Sequence, residues 1–520
     1  MGRPAGKRGN AERTGRAHRV VAAPPLPHMV DSVVPNPAQM RALPPLSLAF
    51  VLGASVAGAQ PIVTPATPGT RQSGSTAADT LRPFGTLRDQ AFRQQKWLET
   101  RLEKILPVLM RKRGVDMWVV PMREYNEDPV FRALTSPTTF AARRRTIYVF
   151  YDRGPKDGIE RLALGGTSQG NLYKAIRSTK PVAAAPAGQV TNDRTAELWG
   201  DDQWSVLKQV LDERKPKQIA INVSRTFAFA DGLSAGERDG MQQGIGAEWT
   251  SKLVPAEALA VDLIAARTTE EEVAFAELNK LAWAIIEEAF SNKVIKPGVT
   301  KADDVVWWMR QRVNDLGLGT WFQASIEVQR QFGVGELVGV NPTIQKGDVL
   351  HCDFGITAMG LNTDTQHMAY VLKDGETEPP AGIQKALLNS NKLQDIQFAE
   401  LVPGRSGNES LKRGLERMKA GGIDGTLYSH PIGLNGHGAG ALIGLWDYQD
   451  GVPGRGDHVI IPSMWYSIEL QATTKVPEWG NQAVRSAQEE DVIIDENGKV
   501  RWAFGRQTKF HLIKPVGPLN

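Results

Sequence analysis

The chain has 520 residues, of which 41% are hydrophobic and 23% charged, and this balance predicts a well-packed globular protein of two or three domains. Its formal net charge is +4, but seven of the 61 Lys and Arg and two of the 57 Asp and Glu lie in residues 1–41, so the remaining chain carries 54 basic against 55 acidic residues. That balance gives no support for a nucleic-acid surface, and a single cysteine, Cys352, excludes an intrachain disulfide.

Residues 40–59, MRALPPLSLAFVLGASVAGA, have the pattern of a secretory signal peptide. Arg41 supplies the positive start, a short apolar run follows, and Ala57-Gly58-Ala59 is a small-residue cleavage site. The pattern predicts cleavage after Ala59 and a periplasmic or secreted protein without membrane association afterwards. A buried strand or a membrane anchor is the alternative interpretation.

The segments on either side of this signal show no periodic pattern. Residues 1–39 are rich in Arg, Pro and Ala, and we interpret them as an upstream extension from a mis-chosen start codon, with Met40 as the alternative start. Residues 60–79 are rich in Pro, Thr, Ser and Gly, which is typical of a flexible linker.

Residues 80–255 alternate helical and strand-like patterns, which predicts an α/β domain. A helix is predicted from Leu87 to about Met110 with Phe92 and Trp97 on its apolar face, ended by Gly114. Three strands are predicted next, at VDMWVVP, RTIYVFYD and RLALGG. A helix at WSVLKQVLDERK and a strand at QIAINV follow.

Residues 256–520 begin with two predicted helices and continue mostly as strands and loops. Thr268 with Glu271 forms a capping-box pattern before an apolar stripe that includes Val273. Thr300 with Asp303 is predicted to cap the second helix. This order predicts an α+β domain in which helices pack on a curved antiparallel sheet.

Two aspartates, Asp353 and Asp364, lie eleven positions apart in HCDFGITAMGLNTDTQH, on or next to strand-like segments that glycine-containing chain can join as a hairpin. Burying two unpaired carboxylates is costly, and there is no Lys or Arg between Leu350 and Val371 to neutralise them. A metal ion is therefore a natural candidate, although Asp364 alone also suits a turn.

Four further side chains could complete an oxygen-rich site with imidazole. His430 and His437 lie in SHPIGLNGHGAG, Glu469 lies in the strand-like WYSIELQ, and Glu489 precedes an apolar run. This donor set suits a pair of divalent ions, Mn first with Co or Zn as alternatives, better than a structural zinc site. Taken alone, His430 could cap a loop and Glu489 could belong to a solvated acidic run.

In this order the residues resemble the pita-bread metallopeptidase family, which includes Xaa-Pro aminopeptidases, prolidases and metal-free creatinases. The resemblance covers roughly residues 255–515, and the first domain resembles the creatinase-like N-terminal domain of the same branch. It implies two divalent metal ions and a metal-bridged hydroxide that attacks a peptide carbonyl in a short peptide, with a homodimer as a further analogy. The metal ligands implied are Asp353, Asp364, His430, Glu469 and Glu489, with Glu469 moving the proton and His437 binding the substrate.

The sequence departs from the proline-specific pattern in three places. Thr426 stands four positions before His430 where that branch usually has His, and Glu469 is followed by Leu470 rather than Pro. The stretch FGVGELVGVNPTIQKGD, residues 332–348 upstream of Asp353, contains no His, although that branch usually has one about there. A second register would make His437 the ligand instead of His430. Hydrolysis of a non-proline substrate and a non-catalytic binding protein on the same fold therefore stay open as alternatives.

Overall fold

The computed structural model describes residues 82–178, 198–332 and 339–515. The predicted extension, signal peptide and linker at residues 1–79 lie outside these ranges. Within them, no helix has the length and hydrophobicity that a membrane span requires.

The first half of the described chain is an α/β layer structure. Its helices are α1 (Leu87–Thr100), which continues through a π-helical turn (Arg101–Ile105) into α2 (Leu106–Lys112), then α3 (Phe131–Leu134), α4 (Asp201–Arg214), α5 (Ala235–Thr250) and α6 (Glu257–Ala265). Its strands are β1 (Met117–Met122), β2 (Thr146–Asp152), β3 (Ile159–Leu164), β4 (Lys174–Ile176), β5 (Ile219–Ile221) and β6 (Leu253–Pro255).

These strands form one mixed sheet in the order β4-β3-β2-β1-β5-β6. Strand β1 is buried on both faces, which explains why its sequence, MWVVPM, is a continuous apolar run. Met117 and Val119 face the core under α4 and α5, whereas Trp118 and Val120 face the core under α2 and α6. The predicted strands and the predicted α4 are present, with ends shifted by a few residues.

The second half places helices against one face of a larger sheet. Its helices are α7 (Thr269–Ala289), α8 (Ala302–Asp315), α9 (Ala381–Glu400) and α10 (Gly407–Ala420). Its strands are β7 (Ser325–Gln329), β8 (Val349–Phe354), β9 (Thr357–Ala358), β10 (Leu361–Asn362), β11 (Thr365–Val371), β12 (Asp424–Ile432), β13 (Met464–Val476), β14 (Gln482–Ile494), β15 (Val500–Trp502) and β16 (His511–Ile513).

The main sheet has the order β12-β13-β14-β11-β8-β7, and all of these pairings are antiparallel. Alternate residues face opposite sides, so Cys352 and Leu470 pack into the helix-covered cores while Asp353 and Glu469 point the other way. The prediction of an α/β domain followed by helices on a curved antiparallel sheet is confirmed.

The N-termini of α7 and α8 test the two predicted helix caps. Thr268 and Glu271 form the predicted capping box of α7. The prediction that Thr300 and Asp303 cap α8 is wrong, because Lys301 is the N-cap and its N–H donates to Asp304 Oδ2 at 2.8 Å. The Thr300 hydroxyl instead accepts from the N–H of Lys296 at 2.9 Å, which closes the turn before the helix.

Two residues predicted on apolar helix faces point to solvent. Phe92 on α1 is 66% exposed and Val273 on α7 is 59% exposed. The buried face of α7 is instead formed by Phe275, Leu278 and Ile286. The predicted apolar stripe was correct at some positions only. A long helix has apolar residues on more than one face, and the elements that pack against it determine which face is buried.

A buried ion-pair cluster joins the two halves. Arg101, from the π-helical turn, donates to Glu271 Oε1 at 2.7 Å and to the carbonyl oxygens of Leu263 and Ala266 at 3.0 and 2.7 Å. Arg267 lies 3.3 Å from the same Glu271 oxygen. The charges of both arginines outweigh burial and hold the pKa of Glu271 below its usual range.

Glu271→Gln should strongly destabilise the protein, because it leaves two buried arginines without a counter-charge. We expect a loss of about 3–5 kcal/mol in the free energy of unfolding, measured by urea denaturation. The matched control is Glu277→Gln on the same helix, whose side chain is 55% exposed and lies 3.5 Å from Arg93. That control should cost less than about 1 kcal/mol. Equal effects of the two substitutions would contradict the role of the cluster.

Candidate metal centre

The register of the main sheet sets polar residues side by side across four strands. Gln366 on β11 pairs with Asp353 on β8 and with Glu489 on β14, and Glu489 pairs with Glu469 on β13. Residues directly opposite in neighbouring strands project from the same face. The row Asp353–Gln366–Glu489–Glu469, here called the ligand row, therefore brings three predicted metal ligands together.

Asp364 and His430 reach the same face one pleat away. Asp364 lies two residues before Gln366. Tyr428 pairs with Glu469, and His430 lies two residues after Tyr428. Because side chains alternate with a period of two, both project beside the ligand row. The predicted hairpin is present as the β8–β11 pair, with a smaller β9–β10 hairpin between the two aspartates.

The ligand atoms of these residues cluster tightly. Three groups each have their nearest donor atoms within 4.8 Å of one another: Asp353 with Asp364 and Glu489, His430 with Glu469 and Glu489, and Asp364 with His430 and His437. Glu489 belongs to two of the groups. All five predicted ligands are therefore brought together in overlapping groups that could hold a cation.

Burial makes this cluster electrostatically costly. Burial and the charge of Glu489 raise the pKa of Asp353, Asp364 and Glu469. Burial lowers the pKa of His430, but the hydrogen bond and the charge of Glu489 outweigh it and raise that pKa to about 8. No Lys or Arg in the described ranges forms an ion pair with any of the five predicted ligands.

Unsatisfied oxygens support a cation at this position. Asp353 Oδ1, Asp364 Oδ1 and Asp491 Oδ1 are buried and have no hydrogen-bond partner. Buried polar atoms in folded proteins are nearly always paired. A divalent ion would supply the missing partners, and carboxylate oxygen with imidazole nitrogen is a donor set that Mn, Co and Zn accept. The residues present therefore fit the predicted ions.

The acidic run at the end of β14 is not solvated. Glu489, Glu490 and Asp491 are each 1–2% exposed, so the alternative interpretation of Glu489 as a solvated charge is wrong. Glu490 points to the other face, where its carboxylate accepts from Trp283 Nε1 and from the N–H of Gln507. Asp491 returns to the site and accepts from the N–H of Asp364 at 3.2 Å.

His437 lies at the edge of the cluster on a glycine-rich loop, residues 433–440. Its ring contacts that of His430 at a centroid distance of 4.7 Å and that of Trp321 at 5.1 Å. A Cβ at Gly436 would lie 2.2 Å from the Trp321 ring, so this glycine is needed for close packing. The backbone N–H of Asn362 and its side-chain amide each donate to the carbonyl of Gly433 at 2.9 Å, which fixes the loop to the β9–β10 hairpin.

The sequence reasoning missed three residues of the site. Gln366 donates to Glu469 and Glu489, the Ser467 hydroxyl donates to Glu489, and Asp491 binds the backbone of Asp364. The signal that could have found Gln366 and Asp491 was the period of two, because they follow Asp364 and Glu489 by two residues. Ser467 precedes Glu469 by the same step.

The chain matches the family model of metallopeptidase family M24 (Peptidase_M24) over residues 274–496. Residues 274–496 belong to metallopeptidase family M24. This confirms the resemblance to the pita-bread metallopeptidases and the prediction of a metallopeptidase. The M24 domain thus delimited contains every predicted ligand. No curated protein sequence matches the chain.

Solved structures share the fold of the M24 domain and of the domain before it. The X-Pro aminopeptidase from Thermotoga maritima is 16% identical with a TM-score of 0.50, over 78% of this chain and 99% of that chain. The dipeptidase from Pyrococcus horikoshii is 18% identical with a TM-score of 0.49, over 80% and 99%. The N-terminal domain of FACT complex subunit SPT16 from Cicer arietinum is 12% identical with a TM-score of 0.50, over 80% and 98%. At these identities the two structures with a TM-score of 0.50 show the fold alone.

A pocket of about 350 Å³ in the M24 domain adjoins the ligand row. Asp353, Gln366 and Glu469 form one side of it, and Tyr428 and Trp446 contribute aromatic surface. Trp446 is 69% exposed although it is a large apolar residue. The pocket therefore offers space for a small molecule beside the clustered ligands.

Asp364→Asn should raise the thermal stability of the metal-free M24 domain and remove its response to metal. The metal-free variant loses one repelling charge, so we expect its melting temperature to exceed that of metal-free wild type. Mn²⁺ at about 100 times Kd should stabilise wild type by roughly 2.7 kcal/mol and leave the variant unchanged. Differential scanning calorimetry and metal analysis would measure both effects.

The control for this substitution is Asp374→Asn, an aspartate whose side chain is 77% exposed and pairs with Lys346. It should keep the metal response of wild type. If Asp364→Asn bound as much Mn²⁺ as Asp374→Asn, the assignment of Asp364 as a ligand would be wrong.

Proposed function

We propose that this protein is a metal-dependent aminopeptidase or dipeptidase that hydrolyses short peptides. The observation that carries the proposal is the buried ligand set in which Glu489 is shared between two groups, Asp353 with Asp364 and His430 with Glu469. The M24 match supports the reaction class. The SPT16 domain shares the fold, so the fold alone does not specify this reaction and the side chains of the site must.

We propose that the site takes two divalent ions, Mn²⁺ first, with Co²⁺ or Zn²⁺ as alternatives. Asp353, Asp364 and Glu489 would hold one ion, and His430, Glu469 and Glu489 the other. Ions bound there would supply water of lowered pKa and a Lewis acid for the scissile carbonyl.

The remaining steps fall to side chains of this chain. A carboxylate oxygen of Glu469 would accept a proton from the attacking water and pass it to the leaving amine. His437, whose ring is held between Trp321 and His430, would donate a hydrogen bond to the carbonyl oxygen as negative charge develops on it. Both roles need groups that are fixed before substrate binds, which the sheet and the packed loop provide.

Arg455 supports a short substrate with a free carboxylate. It is half-buried, and its side chain makes no hydrogen bond or ion pair with residues in the described ranges. Burial raises the pKa of Tyr428 and lowers the pKa of His437. The positive charge of Arg455 lowers the pKa of both groups. A guanidinium at this edge of the site suits the C-terminal carboxylate of a dipeptide or tripeptide.

Xaa-Pro bonds are one candidate substrate class, since the T. maritima protein with this fold is an X-Pro aminopeptidase. Thr426 and Leu470, where the proline-specific branch usually has His and Pro, favour testing non-proline peptides equally. Metal loading without peptide turnover would favour a hydrolase for another substrate. Absence of metal binding would favour a non-catalytic binding protein.

A panel of peptides tests the reaction. With Mn²⁺ loaded, dipeptides and Xaa-Pro tripeptides should release free amino acids, measured by a ninhydrin or mass-spectrometric assay. Glu469→Gln should lower kcat by about 10²–10⁴-fold, because the proton acceptor is lost. The matched control, Glu277→Gln, makes the same change at an exposed position of α7 and should retain turnover. Failure of wild type to cleave any peptide while binding Mn²⁺ would contradict the proposed reaction.

Arg455→Met tests the carboxylate site separately. Wild type should cleave a dipeptide at least about tenfold faster than the same dipeptide amidated at its C-terminus, because one charge-assisted bond contributes about 1.5–3 kcal/mol. The variant should lose this preference, with most of the change in KM. Arg413→Met, which removes a surface arginine on α10, should keep it.

We further propose that the protein is exported and cleaved after Ala59, on the signal pattern at residues 40–59. Mass spectrometry of the protein expressed in a bacterium should find a mature N-terminus at Gln60 in the periplasmic fraction. An intact N-terminus in the cytoplasm would contradict this.

A further inference from the structure

Gln366 stands in the middle of the ligand row although an amide nitrogen is a poor ligand for a divalent ion. It lies directly opposite Asp353 on one side and Glu489 on the other, and it is 5% exposed. A buried amide among carboxylates must have a specific hydrogen-bond arrangement, since an unsatisfied one is costly.

That arrangement ties together two of the proposed ligands. Gln366 Nε2 donates to Glu469 Oε1 at 3.0 Å and to Glu489 Oε2 at 2.7 Å. The two hydrogens of one NH₂ group therefore bind one oxygen of each carboxylate. The other oxygen of Glu489, Oε1, lies 3.2 Å from His430 Nε2. The amide thus binds one oxygen of each carboxylate and leaves Glu489 Oε1 on the side of His430 and Ser467.

The oxygen of the same amide faces a histidine on the side away from the two carboxylates. Gln366 Oε1 lies 2.9 Å from His351 Nε2, which must donate because the amide oxygen can only accept. His351 Nδ1 lies 3.3 Å from Glu327 Oε2, and Arg485 binds the same Glu327 carboxylate. A flipped amide would set its oxygen against the two carboxylates and its NH₂ against the donating ring. The two carboxylates, which can only accept when ionised, therefore set the NH₂ group on their side and the amide oxygen toward His351.

We propose that Gln366 is a positioning residue for the metal centre. Its amide holds Glu469 and Glu489 at the spacing and orientation that a divalent ion needs, and it offsets their repulsion before the ion binds. In this role it sets the metal affinity of the site without contacting the ion. The inference rests on the proposed function, because it assumes that Glu469 and Glu489 are metal ligands.

Gln366→Met removes both donors and keeps the length of the side chain. Outer hydrogen-bond partners of metal ligands typically change metal affinity by about 10–100-fold, and we expect a loss in that range. The electron paramagnetic resonance signal of free Mn²⁺ would measure the affinity, and the visible absorption of the Co²⁺-loaded protein would report a changed ligand geometry. Neither signal responds to a purely structural contact.

Two further variants make the test decisive. Gln366→Asn keeps a polar group but is one methylene too short to reach both carboxylates, so it should also weaken Mn²⁺ binding at least about tenfold. It decides the question if the methionine variant does not fold. Gln471→Met changes a glutamine in the same pocket that has no hydrogen bond to a proposed ligand, and it should bind Mn²⁺ as wild type does.

The outcomes separate this inference from the proposed function. Wild-type affinity and an unchanged Co²⁺ spectrum in the folded Gln366 variants would overturn the positioning role alone. A wild-type protein that binds no Mn²⁺ or Co²⁺ would overturn the proposed function first.

Discussion

Repulsion among buried carboxylates is the constraint on which the M24 domain depends. Asp364, Glu489 and Asp491 are each almost fully buried, and Asp353 and Glu469 lie beside them. Charges removed from water and set next to like charges oppose folding. They stay together because the backbone ladders of β8, β11, β13 and β14 fix where each one projects. The protein thus uses the stability of its sheet to hold like charges together, a repulsion that a bound cation would relieve.

The sequence predicted the content of this site better than its geometry. The set of candidate ligands followed from two features of the sequence. These are the eleven-residue spacing of Asp353 and Asp364 and the order of the later His and Glu residues. The pairing of β11 with β14 could not be read locally, because Gln366 and Glu489 are 123 positions apart and meet only through the register of the sheet. Gln366 was overlooked for that reason: a glutamine has no metal chemistry of its own, and its role follows from its neighbours.

The fold was predictable where a local pattern had one solution. The continuous apolar run of β1 required burial on both faces, and the Thr268–Glu271 box specified the start of α7. The errors came where local signals competed. Thr300 has the chemistry of an N-cap, but its hydroxyl closes the preceding turn, so the helix begins after Lys301. Side-chain hydrogen bonds of this kind depend on the path of the chain before the helix, which the sequence does not specify.

The first domain takes part in building the candidate metal centre. On the loop that carries His437, Leu434 packs against the cores of both halves, and Ala439 lies in the core of the first domain. At the base of this loop, a Cβ on Gly433 would lie 3.5 Å from Arg267, which shares Glu271 with Arg101 of the first domain. The family match at 274–496 therefore contains all five predicted ligands, while the packing that fixes His437 extends beyond it. His437 lies on a loop rather than on a strand of the sheet, so side-chain packing rather than a backbone ladder fixes its position. The ion-pair junction between the halves lies at the base of that loop and is part of this packing.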